Sequence, residues 1–211
     1  MKKKLPIFAL ILIAVLSSCI VTSFYPFYLK KDIQKDKRFE GVWVDYEMVF
    51  KDNHISMGDS KKDDAKPEWT FKMKKDSTGY KVTVGNVKGL EEWTDYKVTP
   101  FKLGKHQMLD FMLDDVKSNY LLGAFHLMPV HSVAKYHFSG DTLVINWFNQ
   151  EYMSKLFKES KVRIDHLKRD GNILLTAKTE DLQKFVLRYI NDPKAFSKEN
   201  DAVLKLIRKN D

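Results

Sequence analysis

The sequence predicts a β-rich α+β fold: about nine antiparallel strands in a bent sheet or partial barrel, with two or three helices late in the chain. Three observations carry this. Apolar and polar residues alternate through most of the region from Val42 to Trp147, the period of half-buried strands. Glycine, asparagine and aspartate clusters break the runs at short intervals, as in sandwiches and barrels. Helical periodicity is confined to the region after Asn149, and helices segregated in this way argue against a parallel α/β sheet.

The chain opens on a leader. Lys2, Lys3 and Lys4 precede an apolar run from Leu5 to Leu16, then Ser17, Ser18 and the only cysteine, Cys19. A basic start, a short apolar core and small residues before a cut make a secretory signal, and the run falls short of the ~20 residues that span a bilayer. Leu16-Ser17-Ser18-Cys19 resembles the lipobox of bacterial lipoproteins. That resemblance implies removal of residues 1–18 and a diacylglycerol on the Cys19 sulfur, so membrane lipid becomes a partner through Cys19. The plainer alternative is a free thiol behind an ordinary signal. Residues 19–38 then read as lipid anchor and juxtamembrane segment, and 39–211 as a single β-rich domain. Ile20 to Leu29 carries Phe24, Tyr25, Phe27 and Tyr28, which suit either a membrane interface or a first strand or arm packed on the domain.

Val42, Val44, Tyr46, Met48 and Phe50 form the apolar face of the first regular strand. Residues 51–66 are a long polar loop. Trp69, Phe71 and Met73, then Tyr80, Val82 and Val84, form a hairpin about Asp76-Ser77-Thr78-Gly79. A strand from Trp93 to Leu103 contains Pro100, which lacks a ladder donor and so predicts an edge or a bulge. Leu109, Phe111 and Leu113 alternate on the next strand, and Tyr120–Leu127 reads as a short strand. Val130, Ser132, Ala134, Tyr136 and Phe138 share one face of the strand that follows, with His131, Val133, Lys135 and His137 on the other. Ser139-Gly140-Asp141 turns it into Leu143, Ile145 and Trp147.

Asn149 is placed to cap a helix bearing Tyr152, Met153, Leu156 and Phe157. Val162, Ile164 and His166 start another strand, and Asp170-Gly171 is a hairpin turn. Thr179 is the expected N-cap of a helix whose Leu182, Phe185, Val186, Tyr189 and Ile190 form one stripe, stopped by Asn191-Asp192-Pro193. Residues 197–209 read as a last helix through Ala202, Val203, Leu206 and Ile207.

Composition narrows the function. Hydrophobic residues make up 44% and aromatics 13% of the 211 residues, enough for one packed core. Of the formal net charge of +8, three charges lie in the leader, leaving +5 on the mature part. That excess suits a solvated surface, or anionic head groups as a partner, and not a nucleic acid, for which no recognisable module is present. With Cys19 lipidated, no cysteine remains for a disulfide or zinc. The six histidines are scattered; His131 and His137 stand three pleat repeats apart, and His126 and His131 make half a zinc site at best. No metal or cofactor is expected.

No Gly-x-Ser-x-Gly elbow, phosphate loop or dinucleotide fingerprint occurs. Ser132 beside His131 is chance adjacency on a strand, and Asp114-Asp115 and Glu91-Glu92 sit in loops. No residue is assigned to catalysis. Four tryptophans and fourteen phenylalanines could fill a core or, in a barrel, line a cavity.

Phe125-His126-Leu127-Met128-Pro129-Val130-His131, Gly140-Asp141-Thr142-Leu143 and the stretch from Leu174 to Phe185 resemble a group of uncharacterised bacterial envelope lipoproteins. The resemblance implies a β-rich domain behind a lipid anchor and carries over no active site. The expected function is that of a membrane-anchored envelope lipoprotein with a structural or interaction role and no catalysis. The alternative is a lipid-anchored carrier or sensor of a small apolar ligand in a lipocalin-like cavity. Ile20 rather than aspartate after the anchor points to an outer membrane, where the cell has one.

Overall fold

The structure, a computed structural model, describes residues 20–45, 69–86, 93–117, 128–169, 172–196 and 203–209. Its elements are β1 (Thr22–Ser23), β2 (Gly41–Asp45), β3 (Trp69–Lys75), β4 (Tyr80–Asn86), β5 (Trp93–Leu103), β6 (His106–Lys117), β7 (His131–Ser139), β8 (Thr142–Trp147), α1 (Gln150–Lys158), β9 (His166–Arg169), β10 (Asn172–Leu175), α2 (Thr179–Tyr189) and β11 (Val203–Arg208). Short 3-10 helices at Lys30–Asp32 and Lys37–Phe39 precede β2.

Strands β2 to β8 form an antiparallel meander, β11 pairs antiparallel with both β8 and β2, and β6 pairs with β7. The ring therefore closes on itself as an eight-stranded barrel, not the bent sheet or partial barrel expected from sequence. The correction comes from the C-terminus. The stretch read as a last helix holds the closing strand, in which Leu204 and Leu206 turn inward and Lys205 outward. Its apolar residues satisfy periods of 2 and 3.6 equally over so short a run; closure removes two sheet edges at once, and that gain selects the strand.

The remaining strands add a wing. Beyond the end of β8, the edge of β7 is taken by β1, followed by β10 and β9. The helices interrupt this second set of strands instead of ending the chain. Val162 and Ile164 precede β9 in irregular structure and are not part of it.

Inside the barrel, side chains from alternate positions of all eight strands converge: among them Trp43, Met73, Tyr80, Val82, Val98, Leu109, Ala134, Tyr136, Leu143, Ile145 and Leu206. The face of β2 is the reverse of the one expected, since Trp43 points in while Val42 and Val44 point out. The opposite, outward face of β5 to β8 supplies Phe101, Leu103, Met108, Val133 and the adjoining Phe148 to a second core. Met153 and Leu156 of α1 and Leu182, Phe185 and Val186 of α2 cover it. The α2 stripe thus packs on the barrel wall as its period requires. Lys135 reaches from the wall to the carbonyl of Ile190 and its ammonium stacks 4.6 Å from the Phe196 ring centre, so a cation closes the end of α2.

Asn149 caps α1, its side-chain oxygen accepting the Tyr152 amide at 2.9 Å. Thr179 does not cap α2; the N-cap is Lys178, and the Thr179 hydroxyl donates to the Pro26 carbonyl at 2.8 Å. Strand β5 is neither an edge nor bulged at Pro100. Its irregularity falls at Asp95/Tyr96, and β4 ends before Pro100, whose carbonyl accepts the Gln34 amide at 2.9 Å. The missing donor therefore faces the N-terminal segment, where no ladder bond is needed. Tyr46, Met48, Phe50, Tyr120–Leu127 and the turn Asp170-Gly171 lie outside the described residues.

Candidate functional site

The two ends of the barrel interior differ. At the end formed by the turns after β3, β5 and β7, the chain itself supplies a plug. Residues 24–39 run along the wall, and Phe39, in a 3-10 helix, enters the barrel with its ring centre 5.2 Å from Tyr80, 5.0 Å from Tyr136 and 5.1 Å from Phe138. The Phe39 carbonyl accepts the Trp43 indole N–H at 2.9 Å, and the Asp36 carbonyl accepts the Tyr80 hydroxyl at 2.7 Å. Arg208, the last residue of β11, stacks 4.5 Å from the Trp43 ring centre and donates to the carbonyls of Arg38 and Glu40. Gly41 makes this possible: its φ is +134°, and a Cβ there would stand 2.8 Å from the Arg208 guanidinium. Burial pushes the Tyr136 hydroxyl up to about 12, with the Asp36 carboxylate adding to it, and also raises Tyr80.

The other end is hollow. A cavity of about 220 Å³ is walled by Phe71, Met73, Val82, Val84, Tyr96, Phe111, Ile145, Trp147, Leu204 and Leu206, with Ser132 and Ile20 completing it. It exceeds the roughly 150 Å³ that stays dry and takes a benzene, and falls below the ~300 Å³ of larger ligand sites. Three lining residues carry a polar group: Tyr96 a hydroxyl, Trp147 an indole N–H and Ser132 a hydroxyl. None has a hydrogen-bond partner among the described residues. Burial raises the Tyr96 hydroxyl above its ordinary value, so it is a neutral donor at physiological pH. The Phe111 and Trp147 rings lie 5.0 Å apart at 42°, forming one side of the space.

A larger cleft, about 390 Å³, lies outside the barrel between α2 and residues 162–165. Its rim carries Arg163, Lys184, Arg188, Asp165 and Asp181 over Phe185 and Tyr189, and Lys184 is already 2.9 Å from Asp181. Volume alone does not favour it. Its charges offset one another in water, whereas the barrel cavity is lined mainly by apolar side chains.

Asp110 and His131 form a third cluster. The Asp110 carboxylate is 2.7 Å from His131 Nδ1 and accepts the Phe27 amide at 2.9 Å, all beneath the N-terminal arm. Burial pushes Asp110 upward in pKa, while the His131 contact and the Phe27 amide pull it back. Ser23 is in register with His131, so serine, histidine and aspartate do meet here. Ser23 is fully buried, however, and its oxygen accepts the Tyr25 amide at 3.2 Å. The cluster pins the arm to β6 and β7. Ser132 lies on the opposite face of β7, toward the cavity, as the strand alternation requires.

Cys19, His126, Glu91 and Glu92 lie outside the described residues. Asp114 and Asp115, expected in a loop, are instead exposed within β6 near its end. Among the described residues no three metal-ligating side chains gather, and no helix is long and apolar enough to cross a membrane. Trp43, Asp110 and Arg208 were not singled out from sequence, and Ile20 was read only as the residue after the anchor, not as part of a cavity wall. Gly41-Val42-Trp43 and the basic residue ending an apolar run at Arg208 were the available signals, but nothing in either stretch says that the two meet. No family model matches the chain, and no curated protein or solved structure is significantly similar to it.

Proposed function

We propose that the protein is a lipid-anchored barrel that holds a small apolar ligand, the lipocalin-like alternative among the two functions read from sequence. The observation that carries this is the division of the barrel interior: one end is packed with aromatic rings, while the other leaves about 220 Å³ walled by apolar side chains. A barrel built only as a scaffold gains stability by filling that space, since each cavity forfeits contacts among its lining atoms. The size suits one or two fused rings or a short alkyl segment, and Tyr96, Trp147 and Ser132 offer hydrogen bonds that would orient it. Nothing in the site supplies a nucleophile with a base, so the proposed role is binding and not turnover.

The anchor is the second part of the proposal. Lipid on Cys19 would hold the barrel at the envelope membrane, supported by the leader, the small residues before Cys19 and the absence of any other cysteine. Native mass spectrometry of detergent-extracted protein checks both parts. The chain is expected to begin at Cys19 with acyl mass attached and to carry one apolar small molecule. Binding of a small uncharged naphthylamine fluorophore, followed by energy transfer from tryptophan, gives a second reading. A protein with no co-purified ligand that also leaves the fluorophore unbound would remove the carrier function.

A further inference from the structure

The place where the predicted anchor joins the fold sets the orientation of the whole barrel. Ile20, the residue after Cys19, is a wall residue of the cavity and bridges Asn149; Val21 is buried and its amide donates to the Phe148 carbonyl at 3.3 Å. No tether therefore separates the anchor from the barrel. Lipoprotein anchors followed by a flexible stretch let a domain float; here the first residue after the lipid is already part of the structure.

The surface around this junction is apolar. Phe24, Tyr25 and Met128 are 49%, 47% and 48% exposed, large values for such side chains, and all three lie at the hollow end, beside the start of β7. Aromatic side chains of this kind are favoured at a membrane–water interface. The basic residues Lys35, Lys37 and Arg38 belong to the opposite end, where the arm reaches the Phe39 plug. Strand β3 stands four strands from β7 by either route round the ring, so the apolar junction occupies one side of the barrel.

We infer that the β1–β7 side of the hollow end rests on the membrane, with Phe24, Tyr25 and Met128 in the interface and the closed, basic end pointing away. The inference rests on the proposed lipidation of Cys19. It identifies the partner surface as the apolar–polar boundary of a bilayer, not an electrostatic contact with head groups.

Lipidation of Cys19 leaves no native thiol, so an introduced cysteine gives a unique site for a spin label. Full-length lipidated Met128→Cys and Lys105→Cys proteins are reconstituted into phosphatidylethanolamine–phosphatidylglycerol vesicles. Each label's collisions with oxygen are compared with its collisions with a water-soluble nickel chelate. The label at Met128 is expected to favour oxygen several-fold more than that at Lys105, on the turn at the closed end. Phe24→Ser with Tyr25→Ser should reduce this difference while leaving thermal melting unchanged. High salt should leave it intact. Lipidated protein whose two labels are equally exposed to the chelate would overturn the orientation and spare the anchor. Protein without acyl mass at Cys19 would overturn both, and mass spectrometry of the same sample tells the two failures apart.

Discussion

Within one barrel, the same alternating pattern produces a filled end and a hollow end. At the filled end Phe39 meets Tyr136 and Phe138 edge to face and Tyr80 at a tilt, and Arg208 locks Trp43 beneath the 3-10 helix. At the hollow end, Val84, Phe111, Trp147 and Leu204 are only partly buried although they point the same way as their neighbours below. The difference is the plug. Eight strands enclose more width than short inward side chains fill, and one end receives a ring from outside the strand set. The other receives only Ile20 among the described residues. Dense packing and open space are thereby placed at opposite ends of one structure.

The largest test of this contrast is Phe39→Ala. It removes the ring that three others contact, and an unfolding free-energy loss of about 3–5 kcal/mol is expected in urea titration. A loss below about 1 kcal/mol would mean that the plug is dispensable and the ends are equivalent.

Alkaline pH probes the same end more gently. Tyr136 has a folded pKa of about 12 against an ordinary value of 10. A raised pKa favours the neutral, protonated form in the folded state, so this contribution is complete below pH ~10 and is lost as pH rises toward 12. The loss should reach up to about 2 kcal/mol, and Tyr136→Phe should flatten it while its own cost is read at neutral pH. An unchanged alkaline slope in Tyr136→Phe would assign the effect to another group.

The smallest stability change is expected at the hollow end. Val84→Phe adds bulk where space exists, so stability should stay within about 1 kcal/mol of the parent, with naphthylamine binding falling about tenfold or more. If it destabilises as strongly as Phe39→Ala, the space is not available to a ligand. If binding is unchanged, the fluorophore sits elsewhere, and the cleft beside α2 is the next place to test.

Much of this was readable from local pattern. The hairpins about Gly79 and Gly140, the inward set Ser132, Ala134, Tyr136 and Phe138, the Asn149 cap and the α2 stripe each follow from neighbours within a few residues. The errors share a cause as well. Residues 203–208 suit two periods, and only pairing with β2 and β8 chose between them. Thr179 was a plausible cap until the Pro26 carbonyl claimed its hydroxyl. Val42 and Val44 outnumbered Trp43, yet Trp43 took the interior because the Phe39 carbonyl and Arg208 were waiting there.

The sequence by itself determined the strand and helix inventory over most of the chain, since side-chain period and turn chemistry act over a few residues. It also set the expectation of an anchor at Cys19, because a signal of that kind would be read from contiguous residues. Tertiary structure decided that the sheet closes, which end fills and where the cavity lies. Those outcomes depend on residues far apart in sequence: Arg208 on Trp43, Phe27 on Asp110, Ile20 beside Trp147. Their contact energies exist only once the ring of strands has brought them together, and no local pattern encodes them.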